Sequence, residues 1–212
     1  MKQVKSKERV AEHGEVFTSE REVNAMLDLV KQETERIESR FLEPACGNGN
    51  FLIEILRRKL KVVQTVYGKN QLDYERYAII AVASIYGVEI QKDNVKECRN
   101  RLYVYFEDYY KKLFHNSFKE ECLQSARYIL ERNILHGDAL NLKKPDTEEP
   151  IIFSEWSAVN SNKIKRRDYT LANLLDNQPM DEPNLFSDLG DKAFIPTPVA
   201  EYPLIHFLKI GE

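Results

Sequence analysis

The stretch "EPACGNGNF", residues 43 to 51, puts a carboxylate, a proline and two closely spaced glycines at the head of an apolar helical pattern. Gly47 and Gly49 remove side chains where a strand turns into a helix, so a ligand can approach the backbone closely. The amides that open the helix near Phe51 are unpaired donors suited to a carboxylate or a phosphate. A dinucleotide fingerprint needs a third glycine three residues after Gly49, where Leu52 stands, and the lysine of a phosphate-binding loop is missing as well. Glu43 points instead to a ligand with a positive group, such as an amino acid moiety. The competing reading is a turn that merely needs glycine. A second candidate, Glu89, ends the pattern "YGVEI" 40 residues after Gly49. A carboxylate at the tip of a second strand can accept hydrogen bonds from two ribose hydroxyls at once, and Ile90 beside it suits one face of an adenine ring. A third, Asp138, follows Gly137 and precedes Ala139; it is an acceptor suited to an exocyclic amine. Taken singly, Glu89 could be an exposed strand-end charge and Asp138 an ordinary turn aspartate. Amino acid, ribose and adenine acceptors in that chain order together describe S-adenosylmethionine.

These residues need a scaffold, and the periodicities supply one. Ser19 with Glu22 forms a capping box, so a helix opens near Glu20, with Val23, Met26, Leu27 and Val30 on one face. "RFLEPA" reads as a short buried strand, "NFLIEILRRKLKVVQ" and "QLDYERYAIIAVASI" as helices, and "YGVEI" as a second strand. "KDNVKECRNRLYVYFEDYYKKLF" and "KEECLQSARYILERN" follow as helices, then "NILHGDAL" and "PIIFSEW" as a third and a fourth strand. Alternation of this kind predicts an α/β fold around a parallel sheet, whose ligands bind beyond the carboxyl ends of the strands. All three candidate loops lie there. After about Asn160 the texture changes to a basic cluster, Lys163, Lys165, Arg166 and Arg167, and then to a proline-rich stretch. The expected division is an N-terminal helical segment over 1–37 contributing to the site, a binding core over 38–160 and an irregular C-terminal arm over 161–212.

Bulk composition narrows the classes. A formal net charge of -3 gives no global basic field for nucleic acid or membrane, although a local patch such as Lys163–Arg167 could touch phosphates or simply be a solvated face. Three cysteines, Cys46, Cys98 and Cys122, have no paired spacing and read as reduced thiols of a cytoplasmic protein. The four histidines, His13, His115, His136 and His206, show no metal-ligand spacing, so no metal is expected. No run is long and apolar enough to span a membrane, and the basic start lacks the apolar stretch of a signal peptide. Cys46, at a helix entrance that favours a thiolate, reads as a small filler under the ligand.

Over about 14 to 142, the stretch "GEVFTSEREVNAMLDLV…FLEPACGNGNFLIEIL…IYGVEI…NILHGDAL" resembles the N6-adenine DNA methyltransferases of restriction-modification systems. The resemblance implies a Rossmann-like class I methyltransferase fold that binds S-adenosylmethionine. It implies that Phe17 and Thr18 line the methionine end, in a motif that usually reads Phe-Thr-Pro and here has Ser19 for the proline. Glu43, Ala45, Gly47 and Gly49 then match the cofactor loop, Glu89 the ribose carboxylate and Asp138 the adenine contact. The family's catalytic Asn/Asp-Pro-Pro-Tyr/Phe tetrapeptide is absent, and no Pro-Pro dipeptide occurs anywhere in the sequence. Ser154, Glu155 and Trp156 stand where it would begin. Glu155 could accept a hydrogen bond there, and Trp156 either stacks on a base or, the favoured reading, anchors the C-terminal arm. Expected partners are DNA, met through a complex, and a complementary modification, specificity or restriction subunit. The expected function is the cofactor half of an adenine-N6 methyltransferase that works with a partner chain. The rival is a catalytically inactive S-adenosylmethionine-binding or docking protein; methylation of RNA or protein amines is less favoured.

Overall fold

A computed structural model describes residues 5–159, 162–175 and 196–212. Three short helices lead in: α1 (Lys7–His13), α2 (Glu20–Asp28) and α3 (Lys31–Thr34). The Ser19–Glu22 capping box is present, with both the side chain and the backbone of Ser19 bonded to Glu22. There follow β1 (Phe41–Glu43), α4 (Asn50–Tyr67), α5 (Gln71–Ala83), β2 (Ile85–Glu89), α6 (Lys92–Phe114), α7 (Glu120–Asn133) and β3 (Ile134–His136). The strands β1, β2 and β3 form a parallel sheet in that order, with Phe41 beside Ile85 and Gly87 beside Ile134. This is an α/β architecture with a parallel sheet flanked by helices, as the alternation of strands and helices predicts.

The packing explains the sequence pattern. β2 is buried along its whole length, which is why it reads as a nearly continuous apolar run rather than an alternating one. On one face, Gly87 meets Cys46 and Leu52, so that α4 lies close against the strand. The apolar stripes of α4 (Leu52, Ile55, Leu56, Leu60, Val63) and α6 (Val95, Cys98, Leu102, Phe106, Tyr110) make most of that core. The aromatics of α6 pack rather than form a platform: Phe106 and Tyr110 have no exposed surface.

The second face departs from expectation. The fourth strand, β4 (Ile152–Val159), does not join the parallel sheet. It pairs antiparallel with β5 (Lys163–Thr170), from Ile152 beside Thr170 to Val159 beside Lys163. Two short strands, β6 (Ala200–Glu201) and β7 (Ile205–His206), extend the same sheet, and α8 (Leu171–Leu175) follows β5 directly. Tyr86 and Val88 of β2 pack against Ile151, Phe153 and Leu171. The hairpin therefore covers the sheet face that the helices leave.

A division at 160/161 thus separates two paired strands, β4 and β5, and the residues after it are not an irregular arm where they are described. The inward positions of β5 are Ile164, Arg166 and Asp168. Two of them carry an ion pair, Arg166 Nη2 to Asp168 Oδ2 at 2.6 Å, instead of apolar side chains, and that hid the alternation. The proline-rich stretch read from the sequence falls largely outside the described residues.

Candidate functional site

The carboxyl ends of β1 and β2 open into a cavity of about 280 Å³. Its floor is the turn from β1 into α4. Gly47 and Gly49 hold φ of 52° and 89°, left-handed values that glycine adopts without strain. A Cβ on Gly47 would sit 3.1 Å from the Phe17 ring, and one on Gly49 would sit 2.6 Å from Cys98 Sγ. The two glycines thus differ in task. Gly47 lines the cavity, whereas Gly49 lies beneath it and lets α6 approach the loop. No side chain caps the start of α4, so its first-turn amides keep their donor capacity.

Charged groups converge on this floor. Glu89 is 7% exposed, and its two oxygens accept from the backbone N–H groups of Gly47 and Gln91, both at 2.8 Å. One carboxylate therefore ties the second strand's tip to the glycine loop. Each oxygen retains a further lone pair for a ligand hydroxyl. Glu43 lines the cavity half-buried, and burial raises its pKa against the pull of the Ala45 backbone N–H. Asn48 adds a buried side-chain oxygen with no hydrogen-bond partner. Its Nδ2 donates to Glu97 at 3.0 Å, so Oδ1 is the atom left free. Cys46 also borders the cavity; its hydrogen bond with the Cys98 thiol and its burial raise its pKa, so it stays a neutral thiol packed under the loop.

The rim comes from the N-terminal segment. Phe17 and Thr18 line the cavity, and Asn50 Nδ2 donates to the Thr18 carbonyl at 2.8 Å, fastening the segment to the start of α4. Gly14, Glu15 and Val16 continue the wall. They are positioned by α1, whose Arg9 donates to Asp93 on α6 at 2.6 Å and 3.1 Å. Sequence reasoning missed α1, Glu15, Asn48 and Asn94 as parts of this site. The available signal was Ser6 as an N-cap and Gly14 as a left-handed C-cap around a short helix.

The structure brings Phe17, Thr18, Glu43, Ala45, Gly47, Glu89 and Ile90 together around one cavity. It does not bring Asp138 and Ala139 into that wall. They follow β3, which ends at His136 beside the site, with the Gly137 N–H bonded to the Glu89 carbonyl at 3.0 Å. Asp138 Oδ1 turns back to accept from the Leu140 N–H at 2.8 Å, and Ala139 packs against the Tyr86–Phe153 cluster.

Glu155 and Trp156 are elsewhere. Trp156 is 8% exposed, with its indole N–H on Asn133 Oδ1 at 2.9 Å at the amino end of the parallel strands. Its ring packs against Tyr128 and under Arg166, which is the anchoring role rather than a base-stacking one. Glu155 is held by Arg40 and lies 3.5 Å from Arg167. Lys165, Arg166 and Arg167 are likewise paired with Glu201, Asp168 and Glu155, so this cluster is not a free phosphate patch.

The family model described as the MmeI DNA-methyltransferase domain matches residues 17–152, nearly two thirds of the 212 residues. The chain belongs to that family. The matched region begins at Phe17 on the cavity rim and ends at the first residue of β4, so it contains the whole parallel sheet and all of the cavity wall except Gly14, Glu15 and Val16. No curated protein and no solved structure gives a significant match. Membership of a methyltransferase family fits the groups around the cavity. Glu43 suits a cationic amino group, the α4 amides a carboxylate, the free capacity of Glu89 a diol, and Ile90 (50% exposed) an apolar ring face. Among the described residues, no helix is long and apolar enough to cross a membrane.

Proposed function

We propose that the cavity at the ends of β1 and β2 binds S-adenosylmethionine. On this reading the chain is the donor-binding part of a DNA adenine-N6 methyltransferase from a restriction-modification system. The observation that carries the reading is Glu89. It is buried at the strand tip, fixed by two backbone N–H groups, and still has acceptor capacity facing the cavity.

The residues fit the cofactor part by part. Glu43 takes the amino group and the opening of α4 the carboxylate. Phe17, Thr18 and Ala45 close on the methionine chain. Glu89 takes the ribose hydroxyls and Ile90 covers the adenine. Bound there, the cofactor supplies an electrophilic methyl group. Direct displacement makes the protein's task one of positioning. The chain's residues hold the donor and keep it in place; Ser154, Glu155 and Trp156, which stand where the missing tetrapeptide would begin, are not among the residues that line the cavity. We therefore assign the acceptor side, with DNA recognition, to a partner chain in the cytoplasm, a complementary modification, specificity or restriction subunit.

Calorimetric titration with S-adenosylmethionine, with S-adenosylhomocysteine alongside, tests the donor site. Saturable one-to-one binding that Gly47→Val abolishes is the expected result. Absence of binding at millimolar ligand overturns the reading, and binding that Gly47→Val leaves intact moves the site elsewhere. The missing tetrapeptide specifically favours a second reading, a non-catalytic cofactor-binding subunit. It predicts the same titration with no adenine methylation when a cognate partner is present.

A further inference from the structure

We infer that Arg101, one hydrogen bond behind the cavity wall, supplies the positive charge for the carboxylate of the cofactor's amino acid moiety. This rests on the reading above that the cavity binds S-adenosylmethionine. The wall poses an electrostatic problem for that ligand. Glu15, Glu43 and Glu89 line it, and among the described residues no lysine or arginine does. Three carboxylates suit a sulfonium, an ammonium and hydroxyl donors, but they repel a ligand carboxylate. The amides at the opening of α4 offer only partial charge against them. Lys5 and Arg9, near the rim, are spent on Asp93 and Glu97.

Arg101 is placed to supply what is missing. It lies on α6, and its Nη1 donates to the Asn48 carbonyl at 2.6 Å and to Asn50 Oδ1 at 3.0 Å. Asn48 and Asn50 both line the cavity, and Asn50 is the first residue of α4. The guanidinium is therefore held against the glycine loop at the head of that helix. Among the described residues it forms no ion pair. Glu97, one turn earlier on α6, is taken by Lys5 at 2.8 Å and by Asn48 Nδ2 at 3.0 Å. Arg101 is half-buried, and burial lowers its pKa, as befits a cation short of counter-charge.

The local field argues that this cation awaits an anion. A helix amino terminus carries partial positive charge, which acidic side chains normally complement. The first turn of α4 holds no acidic residue, and Arg101 adds a full positive charge at that end. An arriving carboxylate offsets both, and it is the only anionic group the cofactor brings. Arg101 also borders a second hollow of about 200 Å³, which shares Phe17, Thr18 and Asn50 with the cofactor cavity. Those three residues are the partition between the guanidinium and the ligand. Arg101 is thus a positioning residue, acting through its field and through the two asparagines it holds. Its charge makes the site prefer a sulfonium that carries a carboxylate over the decarboxylated counterpart.

The test titrates the full chain calorimetrically with S-adenosylmethionine and with its decarboxylated form, which keeps the sulfonium, the amine and the adenosine. The wild type should bind S-adenosylmethionine about tenfold more tightly than the decarboxylated form. Arg101→Gln should abolish that preference, through a loss of about tenfold for S-adenosylmethionine and little change for the decarboxylated ligand. Arg101→Lys, which keeps the charge without the planar fork, should restore most of it. A preference that survives Arg101→Gln, even with both ligands weakened together, would make the residue a staple of the loop and overturn the inference. So would an Arg101→Lys variant without the preference, which would assign the effect to hydrogen-bond geometry. The wild-type comparison needs no variant to fold: equal affinity for the two ligands overturns the inference and leaves the cofactor reading standing. A wild type that binds neither ligand removes the cofactor reading and the inference with it.

Discussion

The two ends of the parallel strands are built from similar polar materials and finished differently. At the amino ends, Lys59 has no exposed surface and donates to the carbonyls of Ile37 and Ser39 and to the Ser84 hydroxyl. Asn133 donates to the carbonyls of Ala83 and Ile85 and accepts from the Trp156 indole. These groups satisfy one another inside the chain. At the carboxyl ends, Asn48 Oδ1 has no partner, Glu43 is half-buried, and Glu89 has capacity to spare. Buried polar groups are costly unless paired. Satisfied ones therefore mark structure, and leftover capacity around a cavity marks a place for a ligand.

If that contrast is right, changes at the amino ends should alter stability and leave cofactor affinity alone, and the reverse should hold at the carboxyl ends. The largest effect is expected for Asn133→Ala. It strands the Trp156 N–H and the carbonyls of Ala83 and Ile85 in the core, at about 1–3 kcal/mol for each unsatisfied group. Denaturant unfolding should show a loss of about 4 kcal/mol, while calorimetry on the folded fraction returns the wild-type affinity for S-adenosylmethionine. A fall in affinity as large as the fall in stability would erase the distinction between the ends. Next comes Glu89→Ala, which removes a charged acceptor from the ligand and from the Gly47 and Gln91 amides. Cofactor affinity should fall 30- to 100-fold, about 2–3 kcal/mol, with a much smaller change in stability, because the freed amides border a wettable cavity.

Lys59 gives the third and middle-sized effect, and it has a pH signature. Burial lowers its pKa from the ordinary 10.5 to about 7. Above pH 7 the folded lysine sheds its proton while the unfolded one keeps it, so stability rises with pH and is lost as pH falls back through 7. The raised thiol pKa values of Cys46 and Cys122 oppose this only above about pH 9, where unfolded thiols ionise. Between pH 7 and 9 the wild type should gain up to about 1.4 kcal/mol per pH unit. Lys59→Met should lack that slope, as urea midpoints across the range would show. Equal slopes in the two proteins would mean that the three acceptors keep the ammonium charged in the fold.

The sequence revealed the two ends unequally, for physical reasons. The carboxyl-end loops were legible because their constraints are local: Gly47 must adopt a left-handed φ, and Glu89 must end a strand. Seven of the proposed site residues do meet at one cavity. The amino-end network was not legible, because Asn133 and Lys59 look like surface residues until the fold buries them. The β4–β5 hairpin was misread for a related reason. Arg166 and Asp168 occupy inward positions as an ion pair, so the charge pattern spoke of a solvated face. Asp138 looked equivalent to Glu89 but spends its Oδ1 on the Leu140 N–H, a choice that turn geometry makes and composition does not show.

The smallest effect belongs to the rim that α1 supplies. Asp93 takes hydrogen bonds from Arg9 at 2.6 Å and 3.1 Å and from Lys5 at 3.0 Å, and these lower its pKa below the ordinary carboxylate value, Arg9 contributing most. All three side chains reach solvent, so the latch contributes less than about 1 kcal/mol. Its influence runs through Gly14, Glu15 and Val16, the cavity wall that α1 carries. Asp93→Asn should leave the unfolding midpoint nearly unchanged and weaken cofactor binding only two- to threefold, mainly through faster release as the rim loosens. The depressed pKa fixes the sign of the pH dependence. The latch's contribution to stability is complete above the unfolded carboxylate pKa, declines below about pH 4 as the unfolded carboxylate takes up its proton, and is gone once pH falls through the depressed folded pKa. In the folded protein the carboxylate stays charged above about pH 4, so wild type and variant should differ in release rate at pH 7 and keep the difference down to that point. A variant that released cofactor no faster at pH 7 would show α1 to be mere packing on α6, and would leave the wall of the site to Phe17 and Thr18, which Asn50 already fastens to the head of α4.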